Sequence, residues 1–182
     1  MFEQFKTRAE GVSAEVHRFP TTAAALDFVL GFFQSEGVAD APQHYAVWAK
    51  CPFLGGVDRQ LLERIPGVKL EATRELAAAA RIGVSQVDWA LADTGTLIQD
   101  ATAVDKRLVS TLPFIHMALV ATGGLRPDMP SWLGDADPGK MGFISMITGP
   151  SRTADIERVL TIGVHGPERL IIIFVDELKG TP

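Results

Sequence analysis

Thr-Gly-Pro-Ser-Arg-Thr-Ala-Asp-Ile-Glu, residues 148–157, followed by Gly-Val-His-Gly-Pro at 163–167, gathers small, polar and charged residues between two apolar runs. Those runs are Gly-Phe-Ile-Ser-Met-Ile at 142–147 and Leu-Ile-Ile-Ile-Phe-Val at 170–175. Short Ile-rich runs suit strands covered on both faces. Between them Ile156, Val159 and Leu160 share the spacing of one buried helical face, Gly163 suits the helix end, and Pro167 cannot continue it. The reading is a strand–loop–helix–loop–strand unit whose first loop brings Ser151, Arg152 and Thr153 to a helix N-terminus. Free backbone N–H groups, the helix dipole and one arginine favour an anion there.

Outward from this unit, strand and helix patterns alternate. Residues 1–10 make a mildly amphipathic helical start, and 14–19 alternate loosely, as an edge strand does. Pro20, Thr21 and Thr22 open a helix to about Glu36, with Ala25, Phe28, Val29 and Phe32 on one face and Gly37 as its stop. Residues 45–49 read as a buried strand, followed by turns at Cys51-Pro52 and Gly55-Gly56 and a helix over about 58–64. Residues 68–71 make a short strand and 74–81 a helix. Residues 88–98 read as a strand broken at Thr94-Gly95 and resumed as a hairpin, and 116–121 as an apolar strand ended by Gly123-Gly124. Residues 125–141 read as loop with one helical turn. The alternation implies an α/β fold, a mainly parallel sheet flanked by helices. It is arranged as an N-terminal helical and edge segment over 1–40 and an α/β domain over 41–182, within one compact unit.

Composition narrows the classes. A net charge of −5 argues against a nucleic-acid partner, which needs a broad basic face, while leaving room for a small anionic ligand in a local pocket. The single cysteine, Cys51, excludes an intramolecular disulfide and any thiolate-only iron–sulfur or zinc site within one chain. No basic and apolar leader opens the chain and no apolar run approaches bilayer length, so the expected place is the cytoplasm, with no membrane span. No dinucleotide or P-loop signature and no metal-binding His pair occurs, so no recognisable motif calls for a cofactor or metal.

In open α/β sheets ligands bind outside the carboxyl ends of the strands, where this reading places Cys51, Asp93, residues 148–153 and Asp176. At Asp93-Thr94-Gly95-Thr96, Gly95 permits a positive φ or a close ligand approach, and the hydroxyls of Thr94 and Thr96 can donate to an anion; the same residues also suit a tight turn. Asp-Thr-Gly is also the aspartic protease signature, but such enzymes are all-β and need a second carboxylate from a second lobe or subunit. Lys106, Arg107 and Ser110 lead toward His116, a basic, hydroxyl and imidazole set that suits an anionic pocket, with a hydrogen-bonded structural His116 as the alternative. Arg152 either holds an anion or braces its loop against Asp155 or Glu157. His165, fixed beside Gly166 and Pro167, is either a ligand contact or a turn support, and with Asp93 it is the candidate for proton transfer. Cys51 has no base beside it in sequence and reads as a buried thiol.

Four runs carry a resemblance. Ala-Asp-Thr-Gly-Thr at 92–96, Arg-Leu-Val-Ser-Thr-Leu-Pro at 107–113 with His116, Gly-Pro-Ser-Arg-Thr-Ala-Asp-Ile-Glu at 149–157 and Gly-Val-His-Gly-Pro resemble the LUD domain family, in its lactate-utilisation protein C branch. The resemblance covers roughly residues 45–176. It implies a fold like the sugar-phosphate isomerase and CoA-transferase (NagB/RpiA-like) group. It also implies a part in oxidising L-lactate to pyruvate, as a non-redox accessory or ligand-binding component beside an iron–sulfur protein and a cysteine-rich protein. It groups Ser151, Arg152, Thr153 and Asp155 as one site, to which the reading of the residues adds Thr94, Gly95, Thr96, Arg107, Ser110, His116, Gly149, Pro150, His165 and Gly166 as ligand candidates. Two departures stand out: Asp93 sits where the family commonly has Glu, and residues 102–106 lack the usual glycine. The alternative is a stand-alone enzyme acting on a small phosphorylated or carboxylated substrate, with Arg107, Arg152 and the Ser151 helix end holding the anion.

Overall fold

In chain order the elements are α1 (Phe2–Gly11), β1 (Ala14–Phe19), α2 (Thr22–Ser35), β2 (Tyr45–Trp48), α3 (Arg59–Glu63), β3 (Val68–Lys69), α4 (Arg74–Ala78), β4 (Ala80–Val87), β5 (Trp89–Leu91), β6 (Thr96–Asp100), α5 (Val104–Thr111), β7 (Ile115–Ala121), β8 (Leu125–Arg126), α6 (Met129–Asp135), β9 (Ile144–Ile147), β10 (Arg152–Thr153), β11 (Thr161–Ile162) and β12 (Arg169–Val175). The structure, a computed structural model, describes residues 1–153 and 161–180. The helix expected over Ile156, Val159 and Leu160, and the site candidate Asp155, lie outside the described residues.

The main sheet has six strands in the order β1-β12-β7-β4-β2-β3, every neighbouring pair parallel. Its centre is made by runs with almost no polar residue: all of β7 is buried, and β12 is buried from Leu170 to Val175. Such strands need cover on both faces. Alternation along β12 sends Ile171, Ile173 and Val175 toward α2, α3 and the short 3-10 turn at Pro52–Gly55, where they meet Val29, Phe33, Trp48 and Leu62. Leu170, Ile172 and Phe174 go to the other face, against Phe5 and Ala9 of α1 and Leu97 of a second sheet. That second sheet has the order β8-β5-β6-β9 and is antiparallel except between β5 and β8.

Local chemistry sets the clearest boundaries. The Thr21 hydroxyl accepts from Ala24 N at 3.1 Å to start α2, and Gly37 takes φ +70° just beyond its end. β1 is the edge strand expected, and 88–98 folds as the β5–β6 hairpin. The loop region at 125–141 does contain helix: Asp128 caps α6 by accepting from Ser131 N at 2.9 Å.

Three readings are corrected. The helix over 74–81 stops at Ala78, and the chain turns directly into β4, a central strand the sequence did not announce. The reason lies in Gly83, Ser85 and Gln86, which look wrong for a buried strand. A Cβ on Gly83 would sit 2.0 Å from the Val109 carbonyl oxygen, so α5 crosses β4 closely only because that side chain is missing. Ser85 and Gln86 are buried with their polar groups in hydrogen bonds. Second, the run at 142–147 supplies β9, an edge strand antiparallel to β6 with Met146 51% exposed, and not a doubly covered parallel strand. Third, Arg152 and Thr153 do not lie in a loop: they form β10, paired antiparallel with β11.

Candidate functional site

The carboxyl ends of the main sheet do hold Cys51, beyond β2, and Asp176, beyond β12. They do not hold the other candidates. The β5–β6 hairpin carries Asp93 back along the sheet to the end of α1, where Gly95 adopts φ +70° and an added Cβ would lie 2.5 Å from Ala9 N. Gly149, at φ +75°, fits the same way against the Val12 carbonyl oxygen, also at 2.5 Å. Both contacts fall where α1 hands over to β1, so the motif runs collect toward the amino ends of the main sheet. The expected carboxyl-end placement of Asp93 and residues 148–153 is thereby overturned, because a hairpin and an antiparallel β9 reverse the chain. For Gly95 the close approach is made by α1, which favours the turn role.

The runs are tied to one another there. The hydroxyls of Thr96 and Thr148 are 2.8 Å apart. Ser151 N donates to the Pro167 carbonyl at 2.9 Å, and Gly163 N donates to the Ser151 carbonyl at 3.0 Å, clamping residues 149–153 onto 163–167. Glu168 N then donates to the Phe114 carbonyl at 2.7 Å, joining this pair to the segment that follows α5. Between them opens a cleft of about 360 Å³ lined by Thr111, Pro113, Phe114, Gly163, His165 and Gly166. A Cβ on Gly166 would come within 3.1 Å of Ser151 Cβ, so the cleft wall is close-packed at that point. His165 stands exposed on the rim.

Other candidates make contacts within the framework. The Arg107 guanidinium donates to the carbonyls of Ala101 and Thr102 and lies 5.0 Å over the Phe143 ring, anchoring α5 to the loop before it. The buried Ser110 hydroxyl donates back to the Arg107 carbonyl at 3.2 Å. Arg152 is exposed and donates to the Ser13 hydroxyl at 2.9 Å, holding the ribbon to the start of β1. Thr94 is exposed in its turn, Pro150 is buried, and Thr153 is half-buried in β10. Asp93 receives no hydrogen bond on its buried Oδ1 among the described residues, while its backbone N donates to the Pro127 carbonyl at 3.0 Å.

His116 resolves toward its structural alternative. Its Nε2 lies 2.9 Å from the Ser85 hydroxyl, which accepts from Gln99 Nε2 at 2.9 Å. Burial between the two sheets pushes its pKa down to about 4, so the ring is neutral at pH 7. A Ser–His contact of this length is the geometry of a nucleophile with its base. Here Ser85 is 0% and His116 1% exposed, so no substrate reaches the pair and it knits the layers together. Ser85 and Gln99 are residues the sequence reading missed; the available signal was a polar residue inside an otherwise apolar strand. Burial raises the Cys51 thiol above its usual range, so it is protonated at neutral pH and not primed as a nucleophile.

A model of the LUD domain family matches residues 2–175. The chain belongs to the LUD domain family. This LUD domain is 38% identical to Lactate utilization protein C of an Exiguobacterium species over 59% of its own length and 50% of the relative's. It is 32% identical to the Bacillus pumilus protein of the same name, over 59% of this chain and 49% of that one. The chain thus spans about half the length of these curated relatives. A DUF162 family protein from Deinococcus radiodurans has the same fold, with a TM-score of 0.62, 19% identity, and coverage of 96% of this chain and 95% of that one. Among the described residues, no helix is long and apolar enough to cross a membrane.

Proposed function

We propose that this LUD domain takes part in oxidising L-lactate to pyruvate as a non-redox, ligand-binding component, acting beside an iron–sulfur protein and a cysteine-rich protein in the cytoplasm. The observation that carries this reading is the junction of the motif runs: Thr96 to Thr148, Ser151 to Pro167 and Gly163, and Glu168 to Phe114. Residues 111–114 and 163–166 meet at one cleft, and the relatives that match this chain are named for lactate utilisation. On this reading a small carboxylate lies in the cleft beside Ser151, Gly166 and His165, with Arg152 supplying positive charge from the ribbon.

The test is genetic and biophysical together. Deleting the gene abolishes growth on L-lactate as sole carbon source, wild-type chain restores it, and His165→Ala or Arg152→Gln restores it poorly. Normal growth of the deletion strain, without a second copy of the gene, overturns the reading. Stabilisation of the purified chain by small carboxylates in thermal melts should fall in Arg152→Gln. The exposed His165 on the rim favours one alternative: a stand-alone enzyme that uses this imidazole to move a proton on a small phosphorylated or carboxylated substrate. Turnover by the purified chain alone, lost in His165→Ala, selects that alternative.

A further inference from the structure

The carboxyl ends of the main sheet carry a feature that the motif runs do not reach. From β2 the chain continues to β3 on one side, while from β4 it passes through the second sheet to β7 on the other. Connections that diverge from neighbouring parallel strands leave a crevice outside their carboxyl ends, the usual ligand position in open α/β sheets. Here the crevice is a cavity of about 310 Å³ lined by Lys50, Cys51, Leu54, Gly55, Val57 and Arg59. Its frame is tied down at both flanks. Phe53 N donates to the buried Gln86 Oε1 at the end of β4, at 3.0 Å, and Lys50 N donates to Asp105 Oδ2 of α5 at 3.0 Å. Two carboxylates stand beside this frame and are held by backbone amides: Asp105 in that bond, and Asp58 in capping α3 by accepting from Gln60 N at 3.0 Å. Lys50 and Arg59 form no ion pair among the described residues. In a chain of net charge −5, this cavity thus carries two cationic side chains and no carboxylate in its lining.

We propose that this crevice is a second ligand site, binding a small organic anion through a carboxylate or phosphate group held by Lys50 and Arg59. The guanidinium offers a planar fork matched to two oxygens of such a group, and the ammonium adds a compact charge from the strand end. A cavity of about 310 Å³ stands at the small end of ligand pockets and suits a molecule of few heavy atoms. Cys51 forms part of the wall, and as the sole cysteine it reports directly on occupancy.

The test is the rate of Cys51 alkylation by iodoacetamide, followed by mass spectrometry, with inorganic phosphate, L-lactate or pyruvate added at constant ionic strength set with chloride. Calorimetric titration of the same anions gives a second reading that does not depend on thiol reactivity. Saturable protection of Cys51 is expected from at least one probe, with heat saturating over the same concentrations, and the preferred probe tells phosphate from carboxylate. Lys50→Gln and Arg59→Gln, both surface changes that leave the fold intact by circular dichroism, each weaken that binding about tenfold, the effect of removing one charge-assisted hydrogen bond. His165→Ala leaves the protection of Cys51 unchanged, which separates this site from the amino-end cleft. Absence of Cys51 protection with every probe, or protection unaltered in both the Lys50 and Arg59 variants, overturns the proposal.

Discussion

His116 shows what a single buried group does to the pH response. Its pKa of about 4 in the folded chain lies below the ordinary 6.5, so between those values the unfolded chain holds the proton more readily. Stability is therefore full above pH 6.5 and declines as pH falls toward 4, by a total on the order of 3 kcal/mol. Urea unfolding at pH 5 and pH 7 should show this slope in the wild type and a flatter one in His116→Gln. Gly95 illustrates a backbone constraint of a different kind. With φ +70° and Ala9 N only 2.5 Å from where a Cβ would stand, Gly95→Ala combines left-handed strain with overpacking against α1. The expected loss is about 2–5 kcal/mol, read from the urea midpoint. Gly95 thus has a complete explanation in packing, and the same holds for Gly149 against Val12.

Among the elements, α2 is joined to the main sheet by charge as well as by its apolar face. Glu36, at its C-terminal cap, accepts from Arg81 of β4 at 2.6 Å and from Arg169 of β12 at 2.7 Å. Burial works to raise the Glu36 carboxyl, but the hydrogen bonds from Arg81 and Arg169 outweigh it and hold the pKa below the ordinary value. The stability from this bridge is present above the usual carboxylate range and is lost as pH falls through the lowered value. Glu36→Gln should cost about 1.5–3 kcal/mol at pH 7, since it removes hydrogen bonds to a charged group. The gap from wild type should close in acid, which pH-dependent thermal melts would measure.

At the scale of the molecule, α2 and α3 cover one face of the main sheet while α1 and the second sheet cover the other, and Phe174 sits where α1 meets that sheet. Its ring takes Phe2 and Phe5 edge-on, with centroids 5.2 and 5.0 Å away, and it is 0% exposed. Phe174→Ala should destabilise by about 3–5 kcal/mol and loosen α1 first, visible as faster amide exchange over residues 2–11 than over α2. The same architecture gives the molecule two ends with different characters. The amino end holds the His165 cleft between residues 111–114 and 163–166, and the carboxyl end holds Lys50 and Arg59 over the divergence of β2 and β4.

Much of this was legible residue by residue. Thr21 and Gly37 bound α2, the apolar runs of β7 and β12 form the sheet's centre, and Thr94-Gly95 turns the β5–β6 hairpin, because caps, apolar runs and turns act within a few residues of themselves. The motif runs that place the chain in its family were likewise on the surface of the sequence. Only the tertiary structure decided that β4 is central, because Gly83 makes sense only when α5 lies across it and Ser85 only when His116 and Gln99 reach it. It also decided that β9 and the β10–β11 ribbon run antiparallel, and hence that the motif runs meet at the amino ends. Strand direction and burial of a polar group are set by partners distant in sequence, and no local pattern around residues 148–157 encodes which partner will be found.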